Sequence, residues 1–327
     1  MKKNFENKNQ STSSILVIFL GSISFAFLVG YGFYGYGIDF YSGYQKGFEW
    51  NKVNATGVNF LGYKVSTLII NGFHFGVYVV TFILSLSSGI LIKEHLNIKH
   101  SYSLIFFLII FIIALHTWPI IMSTSNAMRQ GLAMSFIFLA LVSSLRKKYF
   151  TMILWAIIGM FMHTSGAPLL LSVIFATMII TLQRNLPYKK KIIINFSIGI
   201  LIFISAYYSL DFFLGGNYQQ SRIIAGDFRV AFVFIGLSYI SLTVFHRVLL
   251  DNSLNLTLYY FSFIAPALLL NGLNWQYERL GMMMLIPYIL SFGSIFNMRS
   301  YKFYLFLSFM LLLLLTIYTG MYSEGLT

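Results

Sequence analysis

The sequence predicts an all-α membrane protein that crosses the bilayer about eleven times, within a range of about ten to twelve spans. Hydrophobic residues make up 58% of the 327 residues and charged residues only 9%, whereas soluble domains carry roughly 25% charged residues. Apolar runs of about 18 residues or more, which are long enough to cross a bilayer, recur along the whole chain. The gaps between them are short, so we expect a single transmembrane domain over residues 1–327.

The apolar runs define the individual spans. Residues 1–13 are polar and basic, and the apolar run after them has no A-x-A-like cleavage site. We therefore expect a short cytoplasmic N-terminal tail and a retained first span rather than a removed signal peptide. The predicted spans cover about residues 14–34, 66–92, 102–118, 127–145, 149–164, 168–183, 192–210, 229–246, 256–271, 281–297 and 302–320.

The basic residues predict the orientation of these spans. If the N-terminus lies inside and the spans alternate, 15 of the 22 basic residues fall in inner loops, as the positive-inside rule requires. The net charge of +13 therefore reflects topology, and we expect no nucleic-acid partner. The chain has no cysteine and no metal-ligand spacing such as H-x-x-x-H, so we expect neither a metal nor a cofactor.

The remaining seven basic residues predict an anion site, because the positive-inside rule disfavours them where they lie. They fall at or beyond the outer ends of spans: Lys46, Lys52, Lys64, Arg129, Arg222, Arg229 and Arg279. Three of the arginines lie at or near a helix start, which itself favours anions, and arginine can bind phosphate with two parallel hydrogen bonds. This pattern predicts an outward-facing pyrophosphate pocket. The alternative is snorkelling to headgroups or pairing with Glu278 and Asp227.

The stretch Asn126–Pro168 predicts a helical hairpin with functional groups at one end. Its two apolar helices are joined by the basic turn Arg146–Lys148, so Arg129 and His163 should lie on the same side of the membrane. Ionisable groups at the edge of an apolar bundle are functional candidates, and histidine titrates near neutral pH, which suits proton transfer. Other membrane histidines, such as His116, are interpreted as packing residues.

Two outer-side carboxylates could serve the same pocket. Asp39 and Glu278 are the acidic residues best placed to act as a base toward a sugar hydroxyl, so the base remains a choice among these two and His163. The chain has no glycine-rich phosphate loop, and its inner loops are too short to bind a nucleotide sugar. These absences argue against a cytoplasmic nucleotide-sugar transferase.

Two motifs in this chain resemble those of the EpsG family. The stretch Asn126-x-x-Arg129-Gln130-x-x-Ala133, followed by the basic turn and by His163-x-Ser165, looks like that family's signature. In the first outer loop, Gly37-x-Asp39-Phe40 is similar to its G-x-D-aromatic motif, and Arg279 matches an arginine after the ninth span. The family consists of membrane proteins of bacterial exopolysaccharide and capsule clusters, related in role to the Wzy O-antigen polymerases.

The resemblance is specific only in part of the chain. It covers most of the chain in topology, but its residues match specifically around 126–165, less so around 37–40 and weakly elsewhere. Gly166 stands where many members have alanine, and Asn54–Gly57 lacks the acidic residue often found there before a glycine. The second difference leaves Asp39 or Glu278 to supply any carboxylate.

The resemblance implies a polymerase of lipid-linked glycans. The fold would be a GT-C-like bundle with short outer-side loop helices, in the bacterial cytoplasmic (inner) membrane, with its active site facing the periplasm or exterior. One undecaprenyl-pyrophosphate-linked oligosaccharide, the donor, would pass its glycan to a sugar hydroxyl of a second one, the acceptor. Membrane lipid, a flippase and a chain-length regulator are the further partners implied.

The resemblance also assigns roles to residues. Arg129 and Arg279 would hold the pyrophosphate, while His163 or Asp39 would accept a proton. The expected contacts to substrate are Asn126, Gln130, Arg222, Arg229, Trp275, Tyr277 and Glu278.

Other classes of membrane protein compete with a polymerase. A flippase of lipid-linked glycans usually has charged residues at mid-membrane, whereas the ionisable residues here cluster at the outer edge. An O-antigen ligase-like transferase would share the arginine and histidine chemistry, so the sequence barely separates it from a polymerase. A membrane acyltransferase would need its own catalytic histidine context and a cytoplasmic acyl-donor site, and neither stands out.

Overall fold

Six helices form the part of the chain that positions the candidate site. The computed structural model describes residues 2–35, 74–96, 101–125 and 127–163, together with scattered, mostly helical positions between 173 and 208. The helices are α1 (Lys2–Gly30), α2 (His74–Leu96), α3 (Ser101–Leu115), α4 (Trp118–Ser125), α5 (Met128–Leu145) and α6 (Tyr149–Met162). No strand occurs among the described residues, so the predicted all-α class is confirmed there.

Three of the helices are long and apolar enough to cross a membrane. The spanning stretches are Thr12–Gly30, Phe75–Glu94 and Met128–Leu145. The 15-residue α3 and the 14-residue α6 are shorter, at about 22 and 21 Å for a rise of 1.5 Å per residue. The protein is therefore a helical membrane protein, as its composition predicts, while the total of eleven spans stays a prediction.

The positions described after residue 172 belong to a second compact unit, Leu171–Tyr288. They are helical at several places within the predicted spans 168–183 and 192–210. The helices α1 to α6 belong to the first unit, which comprises Met1–Leu170 and Ile289–Thr327. The prediction of a single transmembrane domain stays a prediction.

The helices α1 and α2 run antiparallel. A Cβ atom built on Gly30 would lie 2.5 Å from the ring of Tyr78, and one built on Gly89 would lie 2.8 Å from Ile18. The C-terminal end of α1 therefore packs against the start of α2, and the start of the spanning stretch of α1 packs against the end of α2. Small residues permit this close approach. In a bilayer, helices gain little by leaving the equally apolar lipid, so their association depends on close packing of this kind.

The helices α2 and α5 run parallel to each other. Near their N-termini, Val80 packs beside Gly131. At their C-termini, Glu94 accepts hydrogen bonds from Arg146. Two spans that are both predicted to run inward should be parallel, so this packing agrees with the alternating topology.

The helix α5 is the most enclosed of the three spanning helices. The buried share of the spanning stretch is 78% for α5, 61% for α2 and 39% for α1. Its neighbours include α2, α4 and α6, whereas α1 carries exposed apolar residues such as Leu16 and Phe27. Exposed apolar side chains on a membrane helix suit contact with lipid, so α1 lies at the periphery of the described bundle and α5 lies inside it.

The region after the third predicted span differs from the prediction. The predicted span runs to about residue 118, but α3 ends at Leu115, and a second helix, α4, begins at the last residue of that span and covers most of the predicted loop that follows. Pro119 has no N–H group to bond back to α3, and proline is tolerated in a first helical turn, so the break falls just before it. A short helix in a loop is the kind of element that the family resemblance implied.

The turn between α5 and α6 has a regular helix-ending geometry. The Lys147 N–H donates to the Ser144 carbonyl at 2.9 Å, and the Lys148 N–H donates to the Ser143 carbonyl at 2.8 Å, which is the Schellman pattern. Lys147 has a φ of 58°, in the left-handed region where glycine is usual. The basic turn therefore retains a lysine at a position where glycine would be less strained.

Replacing this lysine should stabilise the hairpin. We expect Lys147→Gly to raise the free energy of unfolding by about 0.5–1 kcal/mol, because glycine adopts a positive φ without a Cβ clash. Lys148→Gly is the matched control, since it removes the same charge at a residue with φ of −94°. The measurement is reversible unfolding of the purified protein in detergent. A loss of stability in Lys147→Gly equal to that in the control would contradict the prediction.

Candidate functional site

Arg129 lies in the first turn of α5, as the sequence predicts. The helix begins at Met128, and its N-cap, Ala127, provides no side-chain cap. The Arg129 side chain is half-buried, and its Nε atom is shielded from solvent. Gln130, next to it, is only 2% exposed. The guanidinium is thus placed at the positive end of the α5 dipole, where an anion would be favoured.

The helix α4 packs directly on this first turn. The Ala127 N–H donates to the Met122 carbonyl at 2.7 Å, and the backbone carbonyl of Ser123 lies against Gly131. Val80 of α2 packs beside Gly131 as well, with its Cγ1 atom 3.3 Å from the position of a built Cβ. The residues on both sides of Arg129 are therefore fixed by neighbouring helices.

Three hydroxyl residues end α4, and all three are fully buried. The Thr124 Oγ1 and the Ser125 Oγ both donate to the Ile121 carbonyl, at 2.7 and 3.1 Å. Both bonds run back within α4, which is the usual pattern for serine and threonine side chains in a helix. The Thr124 and Ser125 hydroxyls are therefore engaged inside α4, and none of the three residues forms an exposed binding surface.

His163 follows α6 directly and lies at the same end of the hairpin as Arg129. Its backbone is extended, with φ −157° and ψ 145°, and its side chain is half-buried. A Cβ built on Gly159 would lie 3.1 Å from the Ala133 carbonyl oxygen. In antiparallel helices, the position four residues before 133 faces the position four residues after 159. This register therefore pairs position 129 with position 163. The hairpin has the predicted form, while the catalytic roles of Arg129 and His163 stay predictions.

An aromatic pair supports the same register in the middle of the hairpin. The rings of Phe136 and Trp155 stack with centroids 5.9 Å apart and an interplanar angle of 20°. This pair lies between the basic turn and the contact of Gly159 with Ala133. Two independent contacts thus define how α5 and α6 are aligned.

The opposite end of α5 carries an ion pair that sequence reasoning missed. The Arg146 Nε and Nη2 donate to the Glu94 Oε2 at 3.0 and 2.7 Å. The side chains are 46% and 25% exposed, and exposed pairs contribute at most about 1 kcal/mol. Only the opposite charges of the two residues hinted at the pair, since their 52-residue separation gives no local pattern.

His116 is a packing residue in this structure. Its Nδ1 lies 2.8 Å from the Ile112 carbonyl oxygen. Its ring packs against Phe25 and Tyr34, with centroids 5.3 and 6.0 Å apart. This agrees with its interpretation from the sequence, and it joins the end of α3 to the end of α1.

The other predicted site residues lie outside the described residues. The same is true of the expected contact of the hairpin with the first outer loop and with residues 275–279. These residues are Asp39, Asn126, Arg222, Arg229, Trp275, Tyr277, Glu278 and Arg279.

The comparison with protein families gives one match. The model of the EpsG family matches residues 15–326, which is nearly the whole chain. The chain belongs to the EpsG family. Searches of curated proteins and of solved structures gave no match.

The described residues supply an EpsG-family protein with two groups of complementary chemistry. Arg129 provides a guanidinium at a helix start, and His163 provides an imidazole. Both lie at the end of the hairpin opposite the basic turn Arg146–Lys148. A guanidinium can bind an anionic group and an imidazole can accept a proton, and these roles of Arg129 and His163 stay predictions.

The side of the membrane that this end faces can be measured directly, because the chain has no cysteine. Tyr31 is 87% exposed at the end of α1, near the start of α2, and Lys147 is exposed at the basic turn. By the positive-inside rule, we expect a membrane-impermeant maleimide to label Tyr31→Cys in intact cells and Lys147→Cys only after lysis. The reverse labelling pattern would place Arg129 and His163 on the cytoplasmic side.

Proposed function

We propose that this EpsG-family protein polymerises lipid-linked oligosaccharides on the outer leaflet of the bacterial cytoplasmic membrane. The family is associated with polysaccharide polymerase activity, and the match extends over residues 15–326. The observation that carries the proposal furthest is the register of α5 and α6, which puts Arg129 and His163 at one end. The donor and the acceptor are undecaprenyl-pyrophosphate-linked repeat units.

The proposed step is a glycosyl transfer between two lipid-linked units. A hydroxyl oxygen of the acceptor sugar attacks the anomeric carbon of the donor glycan and forms the new C–O bond. The bond from that carbon to the pyrophosphate oxygen breaks, and undecaprenyl pyrophosphate leaves with the bonding electrons. The hydroxyl proton passes to a base, which is His163 or one of the carboxylates Asp39 and Glu278.

Arg129 supports this chemistry through its charge and its position. Negative charge builds on the leaving pyrophosphate in the transition state, so a fixed cation aimed at it lowers the barrier. A guanidinium at a helix start combines two favourable terms, the dipole of the helix and a pair of parallel hydrogen bonds. Arg279, with Arg222 and Arg229, is proposed to complete the pyrophosphate pocket.

The function can be tested with purified protein in liposomes and a synthetic undecaprenyl-pyrophosphate-linked repeat unit. A ladder of products that grows with time supports a polymerase. Transfer to a different acceptor, without a ladder, would instead indicate an O-antigen ligase-like enzyme. Movement of the lipid between leaflets without new glycosidic bonds would indicate a flippase.

Arg129 has a matched control on its own helix. We expect Arg129→Lys to slow ladder formation by roughly 100- to 1000-fold, because lysine keeps the charge but loses the planar pair of donors. Arg146→Lys makes the same change at the far end of α5, where the partner is Glu94, and should leave the rate unchanged. Normal ladders from Arg129→Lys would remove this arginine from the mechanism.

His163 also has a matched control. As a general base it should contribute roughly 100- to 10,000-fold to the rate, so His163→Ala should abolish visible ladders while the protein level stays normal. His116→Phe keeps the ring contacts with Phe25 and Tyr34 and should polymerise normally. Full activity in His163→Ala would assign the base to Asp39 or Glu278 instead.

A further inference from the structure

Gly131 marks the closest approach of α4 to α5. A Cβ atom built on Gly131 would overlap the carbonyl oxygen of Ser123 and would lie 3.0 Å from the Ser123 carbonyl carbon. Because the overlapping group is backbone, no side-chain rotation could relieve it. Val80 Cγ1, 3.3 Å away from the same position, limits movement toward α2. Only glycine lets the two helices meet in this way.

This contact is one of two that flank Arg129. Two residues before Arg129, the Ala127 N–H donates to the Met122 carbonyl at 2.7 Å. Two residues after it, Gly131 packs against the Ser123 carbonyl. Both partners belong to the last turn of α4, so the backbone that carries Arg129 is held by α4 on both sides.

The helix α4 is itself fixed at both of its ends. At its start, the Thr117 hydroxyl donates to the Ala114 carbonyl of α3 at 2.7 Å, and the Thr117 carbonyl accepts the N–H groups of Ile120 and Ile121. At its end, Ser123, Thr124 and Ser125 are fully buried among the neighbouring residues. A helix secured in this way can serve as a rigid support for the turn that it touches.

We propose that α4 is a positioning element for Arg129 and that Gly131 is the positioning residue that makes this support possible. The inference rests on the proposed function, because it assigns a reason for the placement of the proposed pyrophosphate-binding arginine. A methyl group at position 131 would separate α4 from the first turn of α5 and displace the guanidinium. A displacement of about 1 Å can slow an enzyme roughly 100-fold.

The first test compares two glycine-to-alanine variants. We expect Gly131→Ala to lower kcat by at least about 30-fold, with KM changed by less, since the arginine acts mainly on the leaving group in the transition state. Gly89→Ala is the control, because its Cβ would lie 2.8 Å from Ile18 and 3.0 Å from Phe111, away from α4 and α5. It should lose stability but keep kcat per folded molecule. Equal kcat losses in both variants would overturn the proposal.

A double-mutant cycle separates positioning from general destabilisation. If Gly131 acts through Arg129, adding Gly131→Ala to Arg129→Lys should lower kcat by no more than about twofold further, whereas independent sites multiply their effects. Gly89→Ala should give the same proportional effect in both backgrounds. Full multiplication of the Gly131→Ala and Arg129→Lys effects would overturn the proposal.

A second variant keeps the test valid if Gly131→Ala fails to fold. Thr124→Val is nearly isosteric and removes one of the two hydroxyls that donate to the Ile121 carbonyl, so it changes the last turn of α4, which contacts Ala127 and Gly131, without adding bulk. We expect it to lower kcat by about 10-fold and to lose most of that effect in the Arg129→Lys background. An unchanged kcat in a folded Thr124→Val protein would count against the proposal.

A readout without catalysis distinguishes failure of this inference from failure of the proposed function. In the cysteine-free chain, the rate at which a small thiol reagent modifies Arg129→Cys reports the position of that side chain. Adding Gly131→Ala should change this modification rate by at least about threefold, which exceeds the roughly twofold deviation from additivity seen between independent sites. Adding Gly89→Ala should leave the modification rate within that twofold range. A shifted rate without any polymer from the wild type would reject only the proposed function, whereas an unshifted rate would reject the positioning role.

Discussion

The close packing around α5 is the constraint on which the described bundle depends. In a bilayer, apolar surface gains little by leaving lipid for another helix, so association depends on fit and on satisfied polar groups. The helix α5 meets its neighbours through glycines, with Gly131 against the Ser123 carbonyl and Gly159 against the Ala133 carbonyl. These contacts fix how α4 and α6 are aligned along α5. The alignment of α6 in turn places Arg129 and His163 at the same end of the hairpin.

The length of α5 separates two groups of basic residues, the turn Arg146–Lys148 at one end and Arg129 at the other. Its 18 residues span about 27 Å at 1.5 Å per residue. One end carries the basic turn and the Glu94–Arg146 pair, which the positive-inside rule predicts to face the inside. The other end carries Arg129 beside a helix start, where an anion would be favoured. The charges that are predicted to orient the protein and the arginine that is proposed to bind a pyrophosphate thus lie at opposite ends of one helix.

Much of the fold was predictable because it depends on local pattern. The apolar runs predicted α5 and α6 to within a residue or two of their observed bounds, and the basic turn predicted which ends meet. The motif around Arg129 and His163 predicted the family that the match over residues 15–326 then showed. The helix α4 was harder to foresee, because eight residues with three hydroxyls at the end resemble a loop when only hydropathy is considered. Its helical form depends on buried neighbours that satisfy its ends.

The sequence by itself determined that this protein is helical, lies in a membrane, belongs to the EpsG family and brings Arg129 and His163 to one end of a hairpin. These properties follow from hydropathy, from charge and from a motif within some forty residues, all of which can be read along the chain. Only the tertiary structure decided that Glu94 pairs with Arg146 and that the end of α4 packs against Gly131. The physical reason is that helix packing is set by atomic contacts between faces, and residue spacing along the chain does not encode which faces meet.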